Sequence, residues 1–142
     1  MPQFQPRDPG YADRVAATFR DESAASRRGG ELTFVSPGVV GIALPYREDL
    51  AAAPCEIHRS FVAAVLDDAC VLAALSLTSP GDSVTTAEYK LNFLAPATGS
   101  QVTVRAEVLR PGRSITVCRA DALADGHLAA RMLATLAVSR PP

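Results

Sequence analysis

Two adjacent carboxylates interrupt an otherwise apolar stretch in the middle of the chain. Between residues 61 and 77, the only charged side chains are those of Asp67 and Asp68. Removing a carboxylate from water is costly unless it is hydrogen-bonded, paired or protonated. Two aspartates in a run with the composition of a core helix therefore indicate a functional carboxylate, suited to general acid or base chemistry.

The helical period places the two aspartates on different faces. Asp68 is in line with the most apolar stripe of the predicted helix, whereas Asp67 shares a face with small side chains. Small neighbours leave space for a ligand beside a carboxylate. The spacing by itself leaves open which aspartate is catalytic, and we expect Asp68 to be structural or to lie at an interface.

Length and charge limit the class of protein. The chain has 142 residues and a formal net charge of −1, with basic and acidic residues mixed along it. This length predicts a single domain over residues 1–142, with residues 1–30 as an N-terminal helical extension. The mixed charge predicts no nucleic-acid partner and no attraction to an anionic membrane.

The cysteines and the N-terminal residues indicate a cellular compartment. Cys55, Cys70 and Cys118 are widely spaced and form no Cys-x-x-Cys pair, and the chain has two histidines, so neither a disulfide framework nor a zinc site is expected. The first residues lack the pattern of a secretory signal, and the run 61–77 is short for a membrane span. We therefore expect a cytoplasmic protein without a membrane segment.

Turn signals divide the remaining chain into helices and strands. Asp8 followed by Pro9 predicts the start of an amphipathic helix that ends before Gly29. A proline-bearing loop is predicted over 46–56, leading to the central helix, which starts near His58 and includes the apolar run 61–77. The predicted strands span residues 31–36, 39–44, 84–94, 101–109, 114–123 and 127–138. This order predicts an α+β fold in which a curved antiparallel sheet wraps around one long central helix.

Two of the predicted strands have informative side-chain patterns. Strict alternation along 84–94 predicts that Thr86 and Thr85 lie on opposite faces, with Leu91 on the same face as Thr85. The strand over 127–138 is apolar on both faces, so it is expected to be central or covered on both sides.

Two blocks of residues resemble a known family. His58, followed nine residues later by Asp67 and then by Ala69, is similar to the His-Gly-Gly-x-x-x-x-x-x-Asp-x-Ala signature of the PaaI-type hotdog-fold acyl-CoA thioesterases. The block over 86–97, with Gly99, resembles the strand after the central helix in that family. The resemblance covers about residues 31–138 and implies a hotdog fold.

The resemblance also implies the roles of particular residues. A carboxylate on the central helix acts in that family as general base or nucleophile, which implies Asp67. A backbone N–H at the start of the same helix polarises the thioester oxygen, which implies Arg59. A hydroxyl on the following strand, contributed by the partner subunit, positions the attacking water. Thr86 fits this role best, with Thr85 as the runner-up.

The same resemblance implies an acyl-CoA substrate, no cofactor or metal, and a homodimer or a dimer of dimers with the site at the subunit interface. Where the family has His-Gly-Gly, this chain has His58-Arg59-Ser60. Ala52 and Cys55 stand where the family often has an asparagine and a glycine. We expect His58, Ser60 and Thr85 to contact the substrate.

Other interpretations of these residues stay open at this point. A non-catalytic hotdog module could bind acyl thioesters, and a hydratase or dehydratase could use the same fold with a histidine and a carboxylate. Cys55 could be a nucleophile and His58 a base or metal ligand, although a packing or hydrogen-bonding role near the helix start is expected for His58. The candidates for contacts to coenzyme A phosphates are Arg110, Arg113 and Arg119.

Overall fold

A long helix lies across one curved sheet. The computed structural model describes residues 4–142, so the first three residues of the predicted N-terminal extension lie outside the described range. The helices are α1 (Tyr11–Glu22), α2 (Ala24–Arg27) and α3 (Arg59–Leu75). The strands are β1 (Glu31–Ser36), β2 (Val39–Pro45), β3 (Ala51–Ala53), β4 (Glu56–Ile57), β5 (Ser83–Phe93), β6 (Ala97–Thr98), β7 (Gln101–Arg110), β8 (Ile115–Ala124) and β9 (His127–Ser139).

Six strands form the main antiparallel sheet in the order β1, β2, β7, β8, β9 and β5. The turn between β8 and β9 consists of Asp125 and Gly126, both at positive φ (48° and 75°), as a two-residue hairpin turn requires. The predicted hairpins, the α+β class and the hotdog arrangement are confirmed.

The sheet curves around α3, which contributes nine buried residues to the core. Burial of apolar side chains between the helix and the sheet is the main favourable contribution to this packing. The buried residues of α3 are Val62, Val65, Leu66, Ala69, Cys70, Leu72, Ala73, Ala74 and Leu75. The helix begins at Arg59, directly after His58 as expected, and ends at Leu75.

The N-terminal helices pack on the face of α3 that is turned away from the sheet. Val15 and Phe19 of α1 are buried there. Arg14 donates to the carbonyl and the hydroxyl of Thr78, at 2.8 and 3.1 Å, just beyond the C-terminus of α3, where a cation is favoured by the helix dipole. Residues 4–30 therefore hold α3 from outside.

The predicted start of the first helix at Pro9 is wrong by two residues. The Asp8 carboxylate accepts from the Gly10 N–H at 2.9 Å and from Arg14 Nε at 3.1 Å, so it stabilises a turn that precedes the helix. The side chain satisfies the turn instead of the first helical N–H groups, and α1 begins at Tyr11.

The predicted loop over 46–56 contains regular structure. β3, β4 and β6 form a small second sheet, in which Ile57 pairs with both Ala51 and Ala97. The turn between β3 and β4 has Cys55 at a φ of 59°, a conformation for which a sequence pattern with glycine or asparagine is the usual signal.

β9 is an interior strand, as predicted, but its outer face is open in a single chain. Leu133 on that face is 48 % exposed. Within residues 4–142, no helix is both long and apolar enough to cross a membrane.

Candidate active site

Asp67 lies in the middle of α3, half-buried, and contacts the edge strand β5. Its Oδ1 accepts a hydrogen bond of 2.6 Å from the hydroxyl of Thr86. A carboxylate held through one oxygen by a hydroxyl keeps its second oxygen for another partner. The structure thus brings Asp67 and Thr86 together within one chain, whereas the resemblance implied a hydroxyl from the partner.

A β-bulge in β5 turns Thr86 towards the helix. Thr86 pairs with Leu136 and Glu88 pairs with Thr135, so Ala87 is an extra residue in the ladder. Leu136 is fully buried under α3, and Thr86 therefore lies on the helix-facing side of the sheet. The bulge shifts the alternation by one residue.

The predicted faces of this strand were accordingly wrong. Beyond the bulge, Leu91 packs against the core on the same side as Thr86, although strict alternation placed them on opposite faces. Thr85 is exposed and points to the outer side, so the structure does not bring it to Asp67. Nothing in the sequence around Ala87 indicates a bulge, because alanine has no preference for this position.

The start of α3 is organised by His58. Its Nδ1 accepts from the Ser60 N–H at 3.1 Å and lies 2.7 Å from Ser60 Oγ, which caps the helix. The ring meets Phe61 edge-on, with the centroids 6.4 Å apart. The predicted packing and hydrogen-bonding role of His58 near the helix start is confirmed. Both the N–H and the hydroxyl of Ser60 contact His58 Nδ1 in this cap.

The Arg59 N–H is the open donor at this helix start. The N–H groups of Ser60 and Phe61 have partners in His58, whereas no acceptor among residues 4–142 takes the Arg59 N–H. A helix N-terminus also has a partial positive charge. The amide is therefore suited to an anionic or developing anionic oxygen.

Arg59 and Asp67 do not meet within one chain. They are separated by eight residues of α3, which corresponds to about 12 Å along the helix axis at 1.5 Å per residue. An attacking group and an oxyanion donor must both lie about 3 Å from the same carbonyl group. A site made of both residues within one chain is excluded by this spacing.

A cleft of about 330 Å³ is lined in part by Arg59. Its walls come from α3, the small second sheet and the end of β5, and most of the lining side chains are apolar. Its lining residues are Ala52, Glu56, Ile57, Arg59, Val62, Phe93, Leu94, Ala95, Pro96, Ala97 and Ala129. Sequence reasoning missed this cleft because the short strands that form one wall were predicted as a loop.

Asp68 has a structural environment. Its Oδ2 accepts from the Ala25 N–H at 2.8 Å, which ties α2 to α3. Burial raises the pKa of Asp68 to about 6, the Ala25 N–H opposes that rise, and the neighbouring Asp67 carboxylate adds to it. The expectation that Asp68 is structural is confirmed.

The remaining candidates lie away from Asp67. Arg119 pairs with Glu107 inside the sheet, while Arg110 and Arg113 are exposed at the β7–β8 turn. Cys55 is exposed at the turn of the small second sheet. His127, at the start of β9, is exposed. Among residues 4–142, no three His, Cys, Asp or Glu side chains converge in a way that could hold a metal ion.

Comparison with known proteins places this geometry in a family. The acyl-CoA thioesterase N-terminal domain family matches residues 58–137. A Saccharolobus solfataricus protein that is named as an esterase is 30% identical to this chain over 100 residues, which cover 70% of this chain and 71% of that protein.

Solved structures give the same picture. A thioesterase family protein from Silicibacter pomeroyi superposes with a TM-score of 0.87 and 38% identity, over 93% of this chain and 100% of that one. The Escherichia coli PaaI protein from the phenylacetic acid degradation operon shares the fold, with a TM-score of 0.80 at 16% identity over 93% and 94% of the two chains.

The Asp68 environment predicts how stability depends on pH. Because its pKa is about 6 in the fold and near 4 in the unfolded chain, the folded state holds the proton longer, and stability falls as the pH rises from about 4 to about 6. Asp68→Asn keeps an acceptor for Ala25 and removes this fall. We expect the variant to gain about 1–3 kcal/mol over the wild type above pH 6, and little at pH 4, in denaturant unfolding.

The matched control is Asp68→Ala, which removes the acceptor as well as the charge. It leaves the Ala25 N–H without its partner, so we expect it to be less stable than Asp68→Asn at every pH. A pH dependence unchanged in Asp68→Asn would show that another group causes it.

Proposed function

The chain belongs to the family of the acyl-CoA thioesterase N-terminal domain, and from that premise we propose that it hydrolyses an acyl-CoA thioester to a free acid and coenzyme A. Family membership supports a thioesterase or esterase function in general. The observation that carries the specific proposal is the hydrogen bond between Asp67 and Thr86 on the half-buried middle of α3.

In this proposal, Asp67 is the general base. The Thr86 hydroxyl holds Oδ1, and Oδ2 takes a proton from a water molecule as the water oxygen attacks the thioester carbon. The carbonyl oxygen becomes an oxyanion, and its collapse breaks the carbon–sulfur bond. The thiolate of coenzyme A leaves and receives a proton, so that water is divided between the acid and the thiol.

The oxyanion donor in the proposed site is the Arg59 N–H of a second copy of the chain. The separation of about 12 Å within one helix is removed when two α3 helices lie antiparallel, since each then brings its first turn to the middle of the other. The long edge strand β5 supports such pairing, because Tyr89 and Phe93 are 45 % and 48 % exposed along it.

A homodimer built in this way has two sites, each with Asp67 and Thr86 from one copy and Arg59 from the other. A thioester held by Arg59 would extend along the apolar cleft of about 330 Å³ beside it. The His58 cap fixes the direction of the Arg59 amide. The same proposal includes the assembly of two such dimers into a dimer of dimers. It also includes a cytoplasmic location, which the three free cysteines support.

A non-catalytic module that binds acyl thioesters is the second candidate. It is favoured by the exposed Arg59 side chain at a glycine position of the family pattern and by Ala52 in the cleft, where the pattern often has asparagine. A hydratase is less compatible with the geometry, because His58 caps the helix and His127 is exposed at the start of β9.

The first prediction concerns Asp67. Asp67→Asn keeps the shape and the acceptor for Thr86 but removes the base, so we expect kcat to fall by about 10²–10⁴-fold. The measurement is thiol release from a panel of short, medium, aromatic and hydroxylated acyl-CoA esters. The matched control is Asp68→Asn on the same helix, which should retain turnover at pH 8. Unchanged turnover in Asp67→Asn would disprove the mechanism.

The second prediction concerns the hydroxyl of Thr86. Thr86→Val has nearly the same shape without the donor, so Asp67 is held less firmly and kcat should fall by about tenfold or more. Thr86→Ser restores the hydroxyl and should recover most of the rate, with KM changed less than kcat. Equal rates for the Val and Ser variants would exclude a role for the hydroxyl.

The third prediction uses proline to delete one N–H group. Proline is well accepted at the first helical position, and His58 before it has the extended ψ of 139° that a following proline needs. Arg59→Pro should lower kcat by about 10²–10³-fold, whereas Arg59→Ala, which keeps the N–H, should not lose this contribution.

Mixing the two inactive variants tests where the site lies. In a mixed dimer of Asp67→Asn and Arg59→Pro chains, one site receives Asp67 and an intact Arg59 N–H from different copies. After co-refolding, about a quarter of the wild-type sites should therefore be restored. If one chain supplied both groups, the mixture would stay inactive.

A further inference from the structure

A second open cleft lies beside the first turn of α3. It has a volume of about 440 Å³ and is lined by Arg27, Arg28, Arg47, Asp49, Leu50 and Phe61. Three guanidinium groups face one carboxylate, in a chain whose net charge is −1. The cleft is therefore a local concentration of positive charge. We call it the arginine cleft.

The guanidinium groups of this cleft are held by local contacts. Arg47 donates to the Asp49 carboxylate through Nε and Nη2, at 2.9 and 2.6 Å. Its side chain also lies along the backbone of Gly29, where a Cβ would be 3.3 Å from Nη1. Arg28 donates to the Ala24 carbonyl at 3.1 Å. These contacts fix the positions of two of the arginines.

Phe61 and Arg27, which also line the cleft, suit a phosphorylated aromatic ligand. The Arg28 guanidinium lies over the Phe61 ring, 5.2 Å from its centre, and together they form a flat cationic and aromatic wall. Arg27 is exposed and forms no ion pair with any of residues 4–142. A guanidinium without a carboxylate partner can bind phosphate oxygens through two parallel hydrogen bonds.

We propose that the arginine cleft binds the phosphorylated adenosine end of coenzyme A. The inference rests on the proposed thioesterase function, which supplies this ligand. Phe61 lies two residues after Arg59, so the first turn of α3 carries both the oxyanion donor and one wall of the cleft. The family match starts at residue 58, and all three arginines lie before it. They replace Arg110, Arg113 and Arg119 as the phosphate contacts.

Direct binding tests the cleft without requiring catalysis. The probe is adenosine 3′,5′-bisphosphate, titrated into the intact protein by calorimetry. The variant is the double substitution Arg27→Gln and Arg47→Gln, which removes two exposed charges at little cost to the fold. The Kd of the variant for the bisphosphate should be at least about tenfold higher than that of the wild type. Binding to the wild type should weaken as salt is added.

The matched control is Arg110→Gln with Arg113→Gln, at the β7–β8 turn. That turn lies near the C-terminal end of α3. There the Gly38 N–H donates to Ser76 Oγ, just after α3, and the Gly38 carbonyl accepts from the Val108 N–H, near the end of β7. We expect the control to bind like the wild type. The inference is overturned if the wild type binds no bisphosphate, if the control weakens binding as much as the cleft variant, or if inorganic phosphate binds equally well.

A kinetic comparison separates this inference from the proposed function. The cleft variant should lose about tenfold in kcat/KM for an acyl-CoA, mainly through KM, and nothing for the same acyl group on N-acetylcysteamine, which lacks the nucleotide. Equal losses for both esters would overturn the cleft. Arginine-dependent bisphosphate binding without any thioester hydrolysis would support the cleft and reject the thioesterase.

Discussion

Burial of α3 against the curved sheet is the constraint on which the rest of the structure depends. A 17-residue helix that is buried on most of its surface has two carboxylates in its middle, and each must find a hydrogen-bond donor. Asp67 takes the hydroxyl of Thr86 on β5, and Asp68 takes the N–H of Ala25 on α2. The edge strand and the N-terminal extension are thus both tied to the central helix through its charges.

The two carboxylates differ because their donors differ. Asp68 accepts from a backbone N–H in a largely buried place, where burial raises its pKa to about 6. Asp67 accepts from a side-chain hydroxyl on the edge strand β5, in a part-buried place. The backbone donor ties Asp68 to α2, whereas in the proposed mechanism the Thr86 hydroxyl leaves the second carboxylate oxygen of Asp67 for the attacking water. Adjacent residues of one type therefore have separate roles.

Side-chain patterns predicted the helices and strands well, but they predicted wrongly which side chains of β5 face the helix. The Asp125-Gly126 turn and the apolar run of α3 depend on residue types, and both were identified from the sequence. The bulge at Ala87 depends on how β5 meets β9, and an alanine shows no local preference for it. This one extra residue decides that Thr86 faces the helix and Thr85 does not. Its position could not be predicted without the partner strand.

Helix geometry similarly limits what the motif residues can do together. Arg59 and Asp67 stand in the right order in the sequence, yet the rise of an α-helix keeps them about 12 Å apart along its axis. In the proposed mechanism, the order of the motif residues indicates which groups take part, and the rise per residue requires that Arg59 and Asp67 come from different copies.

The replacement of glycine by arginine at the helix start is consistent with an anionic ligand. A positive charge at a helix N-terminus is disfavoured by the helix dipole, by about 0.3–1 kcal/mol at an exposed site. The first turn of α3 nevertheless begins with Arg59 and contains no acidic residue, and Arg27, Arg28 and Arg47 lie beside Phe61 in the same turn. The charges gathered at this end of α3 are not balanced by the helix itself. A ligand with several phosphates would balance them, which turns an unfavourable arrangement in the free protein into a favourable one in the complex.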